Sequence, residues 1–211
     1  SRIAFACLHW ILCWIRALVY CLWTYLLKMK PVITEICKDF YQIDNVFELE
    51  FLSDLVQKFD HYERWDQLTG TDENGVIRYQ HGLNLNDRES RGILEGLIPV
   101  TGFIIEQTQS RIWQNTPQLW ADTPGYLNAL HKDFSPNLSI NVQVYLSDGN
   151  SNQGTWTQID DEWYGINYRK NSGYIMFNPT NMVHGMRYPV IDRRMSLYQS
   201  FRTTSTASDI W

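Results

Sequence analysis

Two histidines and one acid in the second half of this chain have the types and spacing for metal chemistry. His131-Lys132-Asp133 carries an imidazole and a carboxylate two residues apart. In an extended segment residues i and i+2 point the same way, so both groups are presented together. A second imidazole, His184, arrives in Met182-Val183-His184-Gly185. Two imidazoles and a carboxylate on one face of a metal leave three positions open, the arrangement of non-haem iron(II) sites that must admit both a co-substrate and oxygen. Each part is weak alone: His-x-Asp arises by chance in solvated turns, and a strand-end histidine is often capped by a carbonyl.

Arg194 strengthens the reading. It lies ten residues beyond His184, with Ser196 two residues further on. A guanidinium grips a carboxylate through two parallel hydrogen bonds, and Ser196, on the same strand face, can donate one more. A keto acid chelating iron through one end needs such an anchor for its far carboxylate. Alternation puts only one of the two neighbouring arginines on the face of Ser196, which favours Arg194 and leaves Arg193 as the alternative anchor.

These residues need strands to hold them. Ser139 to Leu146 alternates strictly, with Ile140, Val142, Val144 and Leu146 on one face, and Asp148-Gly149-Asn150 forms a turn. Gly154–Ile159, Gly173–Phe177 and Arg194–Phe201 read as further strands, and Leu119–Leu130 as strand-like. Earlier, residues 33–43 read as one strand, Glu48–Trp65 as an amphipathic helix, and residues 70–75 as a polar loop. Residues 89–110 read as helix broken by Gly92, Gly96, Pro99 and Gly102. Helices followed by many short strands predict a mainly β fold with flanking helices, a sandwich or jelly roll.

The series as a whole resembles the Fe(II)/2-oxoglutarate dioxygenases of the prolyl-4-hydroxylase-like branch, including small versions from phage and marine microbes. Phe40-Tyr-Gln-Ile-Asp-Asn-Val-Phe47 is similar to the family's entry strand. Leu119-Trp-Ala-Asp-Thr-Pro-Gly-Tyr126 and then His131-Lys-Asp133 resemble its approach to the first ligands. Val144-Tyr-Leu-Ser147, Gly173-Tyr-Ile-Met-Phe-Asn-Pro179, His184-Gly185 and Arg194-Met-Ser196 resemble the later blocks. The resemblance covers roughly residues 33–203. It implies a double-stranded β-helix (jelly roll, cupin-like), iron(II) on His131, Asp133 and His184, and 2-oxoglutarate held by Arg194, Tyr145 and Ser196. Ascorbate is a possible supporting reductant. The implied reaction is hydroxylation of a C–H bond in a peptide side chain, amino acid or other small molecule, with release of succinate and CO2. Gln153-Gly154-Thr155 departs from the family's Gly-Gly-acid-Thr turn. The intact carboxylate of Asp133 argues against halogenation, which needs a small residue there. The competing readings are a non-catalytic jelly-roll module that binds peptides, and a cupin-like metal enzyme with another co-substrate.

Composition sets the frame. The chain has 211 residues, 44% hydrophobic and 14% aromatic, enough for one well-packed domain. A net charge of −5 with no Lys/Arg cluster argues against a nucleic-acid partner. All four cysteines, Cys7, Cys13, Cys21 and Cys37, fall in the first fifth, without metal or disulfide spacing. A cysteine-free body suits a reducing, cytoplasmic setting. Residues 1–28 differ from the rest. Ile3–Leu27 is almost wholly apolar, long enough to span a bilayer, with Arg16 near its centre. It reads as a membrane anchor, as a helix packed on the domain, or as upstream sequence translated in frame before Met29-Lys30-Pro31, leaving residues 29–211 as the oxygenase domain. His9, His61 and His81 read as packed or solvated. Trp120, Tyr126, Trp156, Trp163 and Tyr164 read as cleft lining or packing.

Overall fold

The computed structural model describes residues 31–61, 69–84, 88–133, 139–177 and 181–203. The apolar leader 1–28 lies outside the described residues, as do His9 and Tyr62. No helix among the described residues is long and apolar enough to cross a membrane.

The expected strand over residues 33–43 is instead a hairpin of β1 (Val32–Cys37) and β2 (Phe40–Asp44). Asp39 turns the chain with φ +65°, a left-handed conformation that a short polar side chain tolerates. Helix α1 (Leu49–Lys58) buries Leu52 and Leu55. It stops short of the expected end near Trp65, because Phe59 closes it and Asp60 is drawn away to pair with Arg193. The expected loop over residues 70–75 is instead the end of β3 (Thr69–Thr71) and the turn that joins it to β4 (Ile77–Gly82) in a second hairpin, and His81 lies in β4. Asp72 fixes that tip by accepting from the backbone N–H groups of Asn74 and Val76.

The helix over residues 89–110 breaks at Gly96 and Pro99 as expected, and runs unbroken through Gly92 and Gly102. Helix α2 (Arg88–Gly96) and helix α3 (Ile98–Thr108) meet at Leu97, and Pro99 sits in the first turn of α3, where its missing N–H costs nothing. Gly92 serves close packing: a Cβ there would lie 2.5 Å from the Phe51 ring.

Strands then dominate. They are β5 (Ile112–Gln114), β6 (Gln118–Asp122), β7 (Ser139–Tyr145), β8 (Trp156–Ile159), β9 (Glu162–Gly165), β10 (Ser172–Phe177), β11 (Val183–Gly185) and β12 (Arg194–Thr203). The strand expected to reach Leu130 ends at Asp122, since the chain turns at Gly125 with φ +90°. The large antiparallel sheet runs β1-β2-β10-β7-β12-β6-β4-β3, with β5 on the end of β12. The small sheet runs β11-β8-β9.

Period-two alternation gives the large sheet two unlike faces. Ile43, Leu119, Ala121, Ile140, Val142, Val144, Met195 and Leu197 join the helical residues Leu52, Leu55, Ile93 and Ile104 in the main core. Burying each such aliphatic side chain contributes about 1.5–3 kcal/mol. The opposite face is polar and aromatic: Arg78, Trp120 and Asp122 precede Asn141, Gln143, Tyr145, Arg194, Ser196 and Tyr198 along the sequence. Cross-strand register aligns them, Arg78 with Asp122, Asp122 with Arg194, and Ser196 with Tyr145. The fold is therefore the predicted jelly roll with flanking helices.

Candidate metal centre

His131 and His184 are brought together by backbone hydrogen bonding. Each donates its N–H to the other's carbonyl at 2.8 Å, forming an isolated antiparallel bridge. The rings stand 4.5 Å apart, tilted by 48°. Asp133, two residues on, completes the group. Its Oδ1 lies 3.3 Å from Nε2 of His131 and 3.6 Å from Nε2 of His184. These three are the potential metal-ligand cluster among the described residues.

Neighbouring groups prepare all three for a cation. The Nδ1 of His131 donates to the carbonyl of Ala129 at 2.7 Å, and that of His184 to the carbonyl of Met182 at 3.0 Å. A proton is thereby held on Nδ1 of each ring, which leaves both Nε2 atoms on the side of Asp133 Oδ1. Burial pushes the pKa of His184 down and keeps that ring neutral, whereas the hydrogen bond to Asp133 raises that of His131. Burial acts to raise the Asp133 pKa, but the hydrogen bonds from His131 and Asn141 hold it below its ordinary value. With both Nε2 atoms deprotonated, two imidazole nitrogens and an ionised carboxylate oxygen would form a donor set suited to a divalent transition metal, and three ligands leave coordination positions open.

The cluster stands in the wall of a narrow cavity. Arg78, Trp120, Asn141, Gln143, Tyr198 and Arg194 line its large-sheet side. Arg194 is buried and faces the cavity, while its runner-up Arg193 is turned outward onto Asp60. Tyr145 and Ser196 stand one layer behind the wall. The Tyr145 hydroxyl accepts from the Thr155 N–H at 2.9 Å, and Ser196 Oγ accepts from Gln143 Nε2 at 2.7 Å. Thr155 and Gln143 are the members of those pairs that reach the cavity. Of the aromatic candidates, Trp120 lines the cavity, Tyr126 packs with Met186 and Val190, and Trp156 and Trp163 flank Arg187.

The sequence reading missed Arg78, Asp122, Asn141, Gln143 and Tyr198. The polar positions of β7 were legible, because Asn141, Gln143 and Tyr145 alternate with the aliphatic residues that identified the strand. Arg78 carried no such signal: its place depends on a hairpin that pairs with β6 from far upstream.

By sequence, the chain matches no family model and no curated protein. By structure it is similar to a prolyl hydroxylase from Trichoplax adhaerens in complex with a hypoxia inducible factor peptide (TM-score 0.65, 14% identity, 78% of this chain and 84% of that one). It is also similar to the viral collagen prolyl hydroxylase of Paramecium Bursaria Chlorella virus-1 in its 2-oxoglutarate complex (0.59, 12% identity, 79% and 97%). A third similar structure is HygX from Streptomyces hygroscopicus with nickel, 2-oxoglutarate and hygromycin B (0.58, 12% identity, 86% of each chain). The chain has the jelly-roll fold of the Fe(II)/2-oxoglutarate oxygenases, prolyl hydroxylases among them.

Proposed function

We propose that the protein is an iron(II)- and 2-oxoglutarate-dependent dioxygenase that hydroxylates a C–H bond of a peptide side chain, amino acid or other small molecule. The observation that carries this reading is the convergence of His131, Asp133 and His184 within one cluster, in the wall that also contains Arg194. Complexes of the structural neighbours with a peptide and with hygromycin B support both peptide and small-molecule substrates.

His131, Asp133 and His184 would hold the iron. With 2-oxoglutarate, iron(II) supplies oxygen activation coupled to decarboxylation of the keto acid to succinate. The chain's own residues do the positioning. The carbonyls of Ala129 and Met182 hold the imidazole protons on Nδ1, away from the metal. Arg194 anchors the far carboxylate of the keto acid. Tyr145 and Ser196 support that seat from behind, by orienting Thr155 and the amide of Gln143. The aromatic side chains Trp120 and Tyr198 line the cavity and give a C–H bond a surface to rest on. Misplacement of a reacting group by about 1 Å can cost on the order of a hundredfold in rate, so this rigid wall matters.

The test is succinate formation by the full chain supplied with iron(II), 2-oxoglutarate, ascorbate and air. Slow formation is expected even without a primary substrate. His131→Ala or Asp133→Ala should abolish it, and Arg194→Ala should mainly raise the 2-oxoglutarate requirement. Succinate formation unchanged by the first two substitutions contradicts the proposal.

A further inference from the structure

Arg78 is a second buried guanidinium in the same wall. Strands β4, β6 and β12 lie side by side, and their register places Asp122 between Arg78 and Arg194. The carboxylate is shared. Arg78 donates from Nε to Oδ1 at 2.5 Å and from Nη2 to Oδ2 at 3.2 Å, while Arg194 donates from Nε to Oδ2 at 2.7 Å. Arg194 is further fixed by donating from Nη1 to the carbonyl of Gln153 at 2.8 Å. Asp122 is therefore an orienting group for Arg194, and Asp122 is completely buried.

That arrangement creates an electrostatic problem. A buried carboxylate bonded to Arg194 cancels its charge, and a neutral pair has little hold on an incoming anion. Arg78 removes the difficulty. Two guanidiniums and one carboxylate sum to a single positive charge, and among the described residues no other acid is paired with either guanidinium. The Arg78 guanidinium lies 4.3 Å from the Trp120 ring centre and 4.6 Å from that of Tyr126. These aromatic walls keep water from screening the charge.

We propose that Arg78 is a positioning residue for co-substrate binding: it neutralises Asp122, so that Asp122 can orient Arg194 without cancelling the positive charge that receives the keto acid's far carboxylate. The inference rests on the reading of Arg194 as the 2-oxoglutarate anchor. It differs from direct contact in its consequence, because the need for Arg78 disappears when Asp122 is made neutral.

The experiment is calorimetric titration of the full chain, loaded with manganese(II), with 2-oxoglutarate and with 2-oxobutyrate. The second ligand keeps the chelating keto-acid end and lacks the far carboxylate. Wild type is expected to prefer 2-oxoglutarate. Arg78→Gln should lower 2-oxoglutarate affinity by about tenfold or more while leaving 2-oxobutyrate within about twofold, as expected for loss of a poorly screened charge. Arg78→Lys should retain the preference, and Arg78→Gln combined with Asp122→Asn should restore it. A merely structural role would weaken both ligands alike and would show no rescue. The proposal is overturned if Arg78→Gln keeps the preference, if Arg78→Lys loses it, or if the double variant fails to recover it. If Arg194→Gln loses the preference while Arg78→Gln keeps it, only the role of Arg78 is refuted. A wild type that binds neither keto acid refutes the oxygenase reading as well.

Discussion

Asn141 donates from Nδ2 to Oδ2 of Asp133 at 2.7 Å, leaving Oδ1 of the same carboxylate facing both imidazole Nε2 atoms. The amide is itself held: the Tyr198 hydroxyl donates to Asn141 Oδ1 at 2.9 Å, and the Tyr198 ring stacks on Trp120 at 4.2 Å. Burial raises the Tyr198 pKa, so the phenol keeps the proton it donates. A chain of contacts from the wall thus fixes which carboxylate oxygen is offered to a metal. Removing a group that orients a ligand typically costs about 10–100-fold in metal affinity. Asn141→Ala should weaken manganese(II) binding within that range, measured by equilibrium titration. Tyr198→Phe should weaken it less, because the Asn141–Asp133 bond survives.

Gly185 allows the two histidine segments to meet. Its φ is +152°, and a Cβ at this position would stand 2.6 Å from the carbonyl oxygen of Ala129. That same oxygen accepts the Nδ1 proton of His131. Gly185→Ala should therefore displace the His131 support as well as strain the backbone, with a destabilisation of about 1–3 kcal/mol from overpacking. The expected signature is a loss of metal affinity larger than the shift in the urea midpoint accounts for. A variant that loses stability and binds metal normally contradicts this coupling.

Asp122 should give the protein an acid-sensitive component of stability. Burial alone would raise its pKa, but the Arg194 and Arg78 charges and hydrogen bonds hold it below the ordinary 3.8. A depressed folded value means that the ionised form is favoured by folding. Its stabilisation is complete above the unfolded carboxylate value and is lost as pH falls through the lower folded one. Asp122→Asn leaves buried guanidiniums uncompensated and should cost about 3–5 kcal/mol at neutral pH. Urea unfolding of wild type and variant should show that difference near pH 7 and a smaller one below pH 4. A difference independent of pH contradicts the assignment.

The candidate ligand pair His131 and Asp133 and strands β7, β10 and β12 were legible because each depends on short-range pattern. Strand alternation identified β7 and β12, and the i, i+2 rule paired His131 with Asp133. The hairpin at Asp39 was not legible, since a turn made by one residue in a left-handed conformation leaves the β-rich composition of residues 33–43 unchanged. Gly92 was misread for the opposite reason. Its local effect is to weaken a helix, but the Phe51 ring packed against it makes glycine the residue that fits. Arg194 was found and its partners were not. The Arg78–Asp122–Arg194 row joins residues 44 and 72 positions apart, and only the strand order β4-β6-β12 brings them into line.

Anaerobic iron(II) stoichiometry tests the central claim most directly. The full chain should bind one iron(II) per molecule, as three converging ligands require. His131→Ala, Asp133→Ala and His184→Ala should each reduce that binding severely, with His61→Ala, outside the cluster, binding as wild type does. Undiminished iron(II) binding in the three cluster variants would contradict the account.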